Sequence, residues 1–149
     1  MISIKHIQQT HFLIGFIAVL SLSSCTKEST PNINLNEKAD TAAILRLSGI
    51  FQNGPYGNIR GNASIYLKDS IYTLLLDSFS VNNGPDLKVY LSKEIQPINY
   101  INLGSLKSVT GSQIYTISGT NGAPNFSEYK YALIHCQQYN HLFGYAELK

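Results

Sequence analysis

The run Asn83-Gly84-Pro85-Asp86-Leu87-Lys88-Val89-Tyr90-Leu91-Ser92 decides the fold class. Its first four residues are turn formers. Asn and Asp side chains bond nearby backbone, Gly reaches conformations closed to other residues, and Pro pre-sets its own φ. The six residues that follow alternate, with Leu87, Val89 and Leu91 set against Lys88, Tyr90 and Ser92. A period of two puts the first set on one face of a strand and the second on the other. A turn feeding such a strand signals antiparallel β structure with one face in a core.

The same pairing of turn and strand recurs in both directions. Upstream, Ala42–Phe51 reads as a strand closed by Asn53-Gly54-Pro55-Tyr56-Gly57-Asn58, and Ala63, Ile65 and Leu67 share one face of the next. Lys68-Asp69-Ser70 then turns the chain into Ile71–Phe79. Downstream, Ile98–Leu103, Gln113–Ser118, Tyr129–Gln137 and Leu142–Leu148 complete the series. Residues 42–149 are therefore expected to form one all-β domain, an antiparallel β-sandwich of about eight short strands. Leu87, Val89, Leu91, Ile134, Phe143 and Leu148 are expected in its core. No internal repeat is found.

Composition agrees. Charged residues are 13% of the chain, against about 25% in an average domain. Ten Tyr and no Trp suit short strands better than disorder or a charged helical bundle. The formal net charge is +2, with no long Lys/Arg run, so nothing attracts nucleic acid, and it is not expected as a partner.

Residues 1–24 read as an address. Lys5 is the only charged residue before the apolar run Phe12–Leu22, which Ser23-Ser24-Cys25 follows. That is the order of a secretory signal, and the run is too short to span a bilayer, which takes about 20 apolar residues. Leu22-Ser-Ser-Cys25 resembles the lipobox of bacterial lipoproteins. The resemblance implies a diacylglyceryl group on the Cys25 thiol, cleavage before Cys25, and acylation of the new amine, with palmitate the expected fatty acid. Removing Lys5 leaves ten cations against 9 acids, a net +1. Residue 26 is Thr and not the Asp that resembles an inner-membrane retention signal, so the outer membrane of the envelope is the expected location. Residues 25–41 are polar and lack sustained periodicity, and are expected as a flexible tether between lipid and domain. With Cys25 taken by lipid, Cys136 is the one thiol left, and no intrachain disulfide can form.

Four local patterns carry a wider resemblance. They are Ser48-Gly-Ile-Phe51 with Arg60-Gly-Asn-Ala63; Asp77-Ser-Phe79 with Asn83–Ser92; Leu103-Gly-Ser-Leu-Lys107 with Gly111-Ser-Gln-Ile-Tyr115; and Ile134-His-Cys136 with Phe143-Gly-Tyr-Ala-Glu-Leu148. In this order they resemble the electron-transfer DM domain, called DM-thirteen, from about Gly49 to the end. The resemblance implies a β domain acting in electron transfer through a Cys at position 136, either as a bare thiol or by holding a prosthetic group such as haem. Two positions depart from the pattern. His135 stands where members commonly carry an aromatic, often Trp, and Tyr56-Gly57-Asn58 offers no His before Gly61.

The residues themselves leave two readings of Cys136 open. A free Cys is often a small buried hydrophobe, whereas redox work needs an ionisable, reachable sulfur or a bound group. His135 is expected on the opposite face from Cys136, as strand neighbours are. If Tyr139-Asn140 were a two-residue hairpin tip, Cys136 would sit opposite Phe143, with His141 diagonal on the same face. Cys136 and His141 are then the candidate cofactor-binding pair. Two such residues fall short of a structural zinc set, and without Cys-x-x-Cys-His any haem would be non-covalent. Asp86 is expected as a turn residue bonding backbone N–H groups. No Gly-x-Ser-x-Gly elbow, paired carboxylates or phosphate loop is found. Two functions of different class follow. One is a redox domain at the envelope, exchanging electrons with an unidentified donor and acceptor. The other is a non-catalytic binding or adhesion sandwich facing an envelope protein.

Overall fold

The structure, a computed structural model, describes residues 29–118 and 123–149. The expected signal peptide and the lipidation site Cys25 lie outside the described residues. Nine strands are present among them: β1 (Leu35–Asn36), β2 (Ile44–Asn53), β3 (Ile59–Lys68), β4 (Ile71–Val81), β5 (Leu87–Ser92), β6 (Tyr100–Ser105), β7 (Thr110–Ile117), β8 (Tyr131–Cys136) and β9 (His141–Glu147). Their order is β1-β7-β4-β3-β2-β9-β8-β5-β6, antiparallel at every pairing except the parallel β1–β7.

β2 belongs to two sheets. Ile44–Ile50 pair with β3, and Phe51–Asn53 pair with β9. The continuous sheet folds over at this strand into two layers, as sandwich corners do where a strand changes sheets. The expected sandwich is therefore found. Between the layers lies one core, with Ala63, Ile65, Leu74 and Leu76 from the first sheet and Leu87, Val89, Leu91, Ala132 and Ile134 from the second. All six residues expected in the core are buried.

Local chemistry explains the turns. Lys68 pairs with Ile71 across Asp69 and Ser70, both at positive φ (47° and 65°), the two-residue primed turn that matches strand twist. Ser92 to Asn99 closes as a loop because the Glu94 carboxylate accepts from both the backbone N and the side-chain N of Asn99 (3.1 and 2.9 Å), so β6 begins at Tyr100, two residues later than the sequence suggests. The same loop encloses Ser92. Tyr90 and Ser92, expected to face outward, are both buried: Tyr90 lies under Tyr100, with rings 4.3 Å apart.

Residues 29–40, in the expected tether, lie along the domain. Pro31 O accepts from Val109 N (2.9 Å), Leu35 pairs with Gly111, and the Glu37 carboxylate accepts from Ile114 N (2.6 Å) and from Lys107 Nζ. Gly111, at φ 96°, makes the approach feasible, since a Cβ there would sit 2.2 Å from Leu35 O. A polar segment without core residues can thus dock through backbone bonds at a sheet edge.

The corner depends on a similar close approach. A Cβ on Gly49 would meet Glu147 O at 2.1 Å, and one on Gly57 would meet Phe143 O at 1.9 Å. Gly57→Ala is expected to force β9 from the β2 corner and to lower stability by about 1–3 kcal/mol, the usual cost of overpacking. Urea denaturation of the two proteins checks this, and an unchanged midpoint would contradict the close approach.

Candidate functional site

The turn before β5 is built by its own side chains. Asn83 Oδ1 accepts from Gly84 N (2.8 Å), and Asp86 takes a left-handed φ of 57°. The Asp86 carboxylate does not bond backbone N–H groups, contrary to expectation. It pairs with Lys88 Nζ at 2.7 Å, because Asn83 already supplies the turn's side-chain acceptor. The Asp86 carbonyl accepts from Gln137 N (3.1 Å), which fixes this turn to the end of β8.

Cys136 lies directly beneath that turn. It is 1% exposed, stands opposite Leu87 on one side, and donates its S–H to Pro85 O at 2.8 Å. On the other side its partner is His141, not Phe143. The difference has two causes. The β8–β9 connection is a four-residue loop, Gln137–Asn140, with Asn140 at φ 54°, and the register shifts between Ile134 and His135. The His141 ring is stacked on Tyr56, centroids 3.6 Å apart and planes within 1°. Above the turn a strap crosses: Ser29 bridges Pro85, and Thr30 O accepts from Asn83 Nδ2 (3.0 Å).

This arrangement does not fit a haem at Cys136 and His141. The two are direct partners across one hairpin, and the His141 ring is taken up in its stack with Tyr56. The Cys136 sulfur is already engaged with Pro85 O. The adjoining cavity, lined by Ser29, Thr30, Pro31, Asp86, Leu87 and Leu106, holds about 130 Å³, below the roughly 300 Å³ at which ligand pockets begin. Among the described residues no three His, Cys, Asp or Glu gather where they could hold a metal ion.

His135 points to the other face, as strand geometry requires, and packs against Tyr90 with ring centroids 5.6 Å apart. It is 3% exposed, and neither ring nitrogen has a hydrogen-bond partner. Burial lowers its pKa below the ordinary value; the Asn140 side chain, near the ring but outside hydrogen-bond geometry, opposes that shift, and the neighbouring His141 adds to it. Burial also raises the Tyr90 phenol to about 12, reinforced by Tyr100, Asp86 and Cys136. The outer face of the second sheet thus hides an uncharged, aromatic layer. The sequence points to His135 only as a departure from a family pattern. Its isolation follows from Tyr90 and Leu142 closing over it, which needs the tertiary fold.

A family model described as "Electron transfer DM13" matches residues 50–148. No curated protein and no solved structure matches the chain.

The orphaned imidazole has a thermodynamic consequence. In the unfolded chain His135 takes up a proton near pH 6.5, but in the folded domain only at lower pH. The unfolded state therefore binds more protons in that window, and stability falls as pH drops from about 6.5 to the folded value. His135→Phe should abolish this part of the slope and raise stability by about 1–3 kcal/mol, the cost of an unsatisfied buried polar group. Thermal melts of both proteins between neutral and mildly acid pH check this. Parallel slopes would show that the ring is hydrated or bonded in solution.

Proposed function

The chain belongs to the electron transfer DM13 family, and from that membership we propose that it is an envelope redox domain exchanging electrons at Cys136 and anchored by lipid on Cys25. One observation supports the choice of Cys136. Two motifs of the family resemblance far apart in sequence, Gly84-Pro85-Asp86-Leu87 and Ile134-His135-Cys136, converge on its thiol through the Sγ–Pro85 O bond, the Gln137–Asp86 bond and the Leu87–Cys136 register.

The chemistry is that of a closed thiol. Pro85 O can only accept, so the sulfur carries its proton in this state. Loss of one electron to an external one-electron acceptor, which is thereby reduced, requires the proton to pass out to solvent as the turn opens, since the Pro85 carbonyl is no base, and leaves a neutral sulfur radical. A disulfide needs a second thiol, and Cys136 is the only free cysteine among the described residues. The reachable sulfur expected from the sequence is not found, since Cys136 is buried; that requirement holds for thiol exchange and alkylation, which need an open path, whereas an electron can cross a packed turn. Lipid on Cys25, followed by Thr26, would hold the domain at the outer membrane of a bacterial envelope, with more than one acyl chain for stable anchoring.

The rival reading, a non-catalytic binding or adhesion module, has its own support. Leu45 and Ile50 are exposed on the outer face of the first sheet, beside a groove of about 420 Å³ shared with Tyr66 and Asp77.

Protein-film voltammetry of wild type and Cys136→Ser separates the two. The serine hydroxyl can donate to Pro85 O as the thiol does, so the variant should keep its fold, with unchanged circular dichroism. The redox reading expects a wave in wild type that Cys136→Ser loses. A wave shared by both, or absent from both, would favour the binding module. In either case the native thiol should resist alkylation until denaturant is added, given its burial.

A further inference from the structure

We infer that one end of the sandwich is a bilayer-contacting face, seating the loops at 54–58, 82–86 and 137–140 against phospholipid headgroups. The inference rests on the lipid anchor proposed above and adds to it an orientation.

Strand directions gather these loops at one end. β2, β4 and β8 finish there, and β3, β5 and β9 start there. The loops are tied to one another. Asn82 N donates to Asn58 O, Asn82 Nδ2 to Tyr56 O, and Gln137 N to Asp86 O, while Tyr56 stacks on His141. The strap Ser29–Pro31 crosses the same end and bridges Pro85. Only three residues separate Ser29 from Cys25, so a lipidated Cys25 lies four Cα steps, within about 14 Å, of this end even when fully extended. A slack leash beginning at residue 41 would leave orientation free; the strap removes that freedom.

The composition of the three loops fits that placement. Across 54–58, 82–85 and 137–140 there is no Asp, Glu, Lys or Arg; the charges at this end are the Asp86–Lys88 and Glu37–Lys107 pairs and the exposed Arg60. Tyr56 and Tyr139 are 54% and 48% exposed there. Exposed Tyr on uncharged loops is a composition of membrane interfaces, where the ring sits among acyl ends and the hydroxyl stays wet. The opposite end carries Lys68-Asp69, Lys93-Glu94, and the ion pairs Lys68–Asp40, Lys93–Glu128 and Lys149–Glu147, and it also exposes Ile44, Ile71 and Ile98. The two ends are about 20 Å apart along β5, enough for a depth measurement to tell them apart.

The chain has no Trp, so one introduced Trp is a sole reporter. Tyr139→Trp marks the inferred face, and Ile98→Trp, at a residue 72% exposed, marks the far end. Each lipidated protein is reconstituted in phosphatidylethanolamine–phosphatidylglycerol vesicles whose acyl chains carry bromine, a contact quencher of Trp. The expected result is about a twofold or greater loss of emission from the Tyr139→Trp protein and none from the Ile98→Trp protein, as for a side chain buried in the headgroup–acyl boundary. Mass spectrometry of the mature N-terminus and flotation with the vesicles report the anchor separately. Absence of lipid at Cys25 would overturn both the anchor and the orientation. Lipid present, with the two reporters quenched equally, neither quenched, or only the far-end reporter quenched, would overturn the orientation alone.

Discussion

Everything in this domain hangs on β2 serving two sheets. Ile44–Ile50 extend the first layer through β3, and three residues, Phe51–Asn53, open the second through β9. A strand can turn such a corner only where its neighbour comes close, and the backbone of β9 does so against Gly49, Gly54 and Gly57. The fold of β2 brings the face of β3–β4 over the face of β5–β8, and the core exists because those faces meet. It also sets β9, hence the β8–β9 hairpin and Cys136, beside the turn that leads into β5.

Much of this is legible in the sequence. Alternating Leu87-Val89-Leu91 and Ala63-Ile65-Leu67 need only a period of two, and the turn clusters need only Asn, Gly and Pro. What stays hidden are features made by contact between distant segments. β1 has two residues and no apolar pattern; it forms because Gly111 admits Leu35. Alternation assigns Tyr90 and Ser92 to the solvent side, yet a loop and a Tyr ring from β6 cover them. The Cys136–His141 pairing escapes a reading by spacing because the loop uses four residues where two would close it, which moves every partner along β9.

The site joins two opposite demands on polar atoms. The thiol is satisfied, with a carbonyl acceptor at 2.8 Å, while the adjacent imidazole is satisfied by nothing. Strand geometry separates them onto two faces although they are neighbours in sequence, so Cys136 belongs to the central core and His135 to the aromatic layer with Tyr90. Position 135 is where the family resemblance implies an aromatic, and the burial found there explains why a ring is wanted. An imidazole meets the packing requirement and leaves two nitrogens without partners.

The docked strap also decides how the molecule carries load. Tension on the chain before Ser29 runs roughly along the axes of β1 and β7. The Pro31–Val109, Leu35–Gly111 and Glu37–Ser112 contacts lie side by side across that axis. They are therefore strained together in shear, not peeled one after another. A sandwich hung from its N-terminus this way resists steady pulling as a clasp does, and the first joint to feel the force is the Ser29–Pro85 bridge over the thiol.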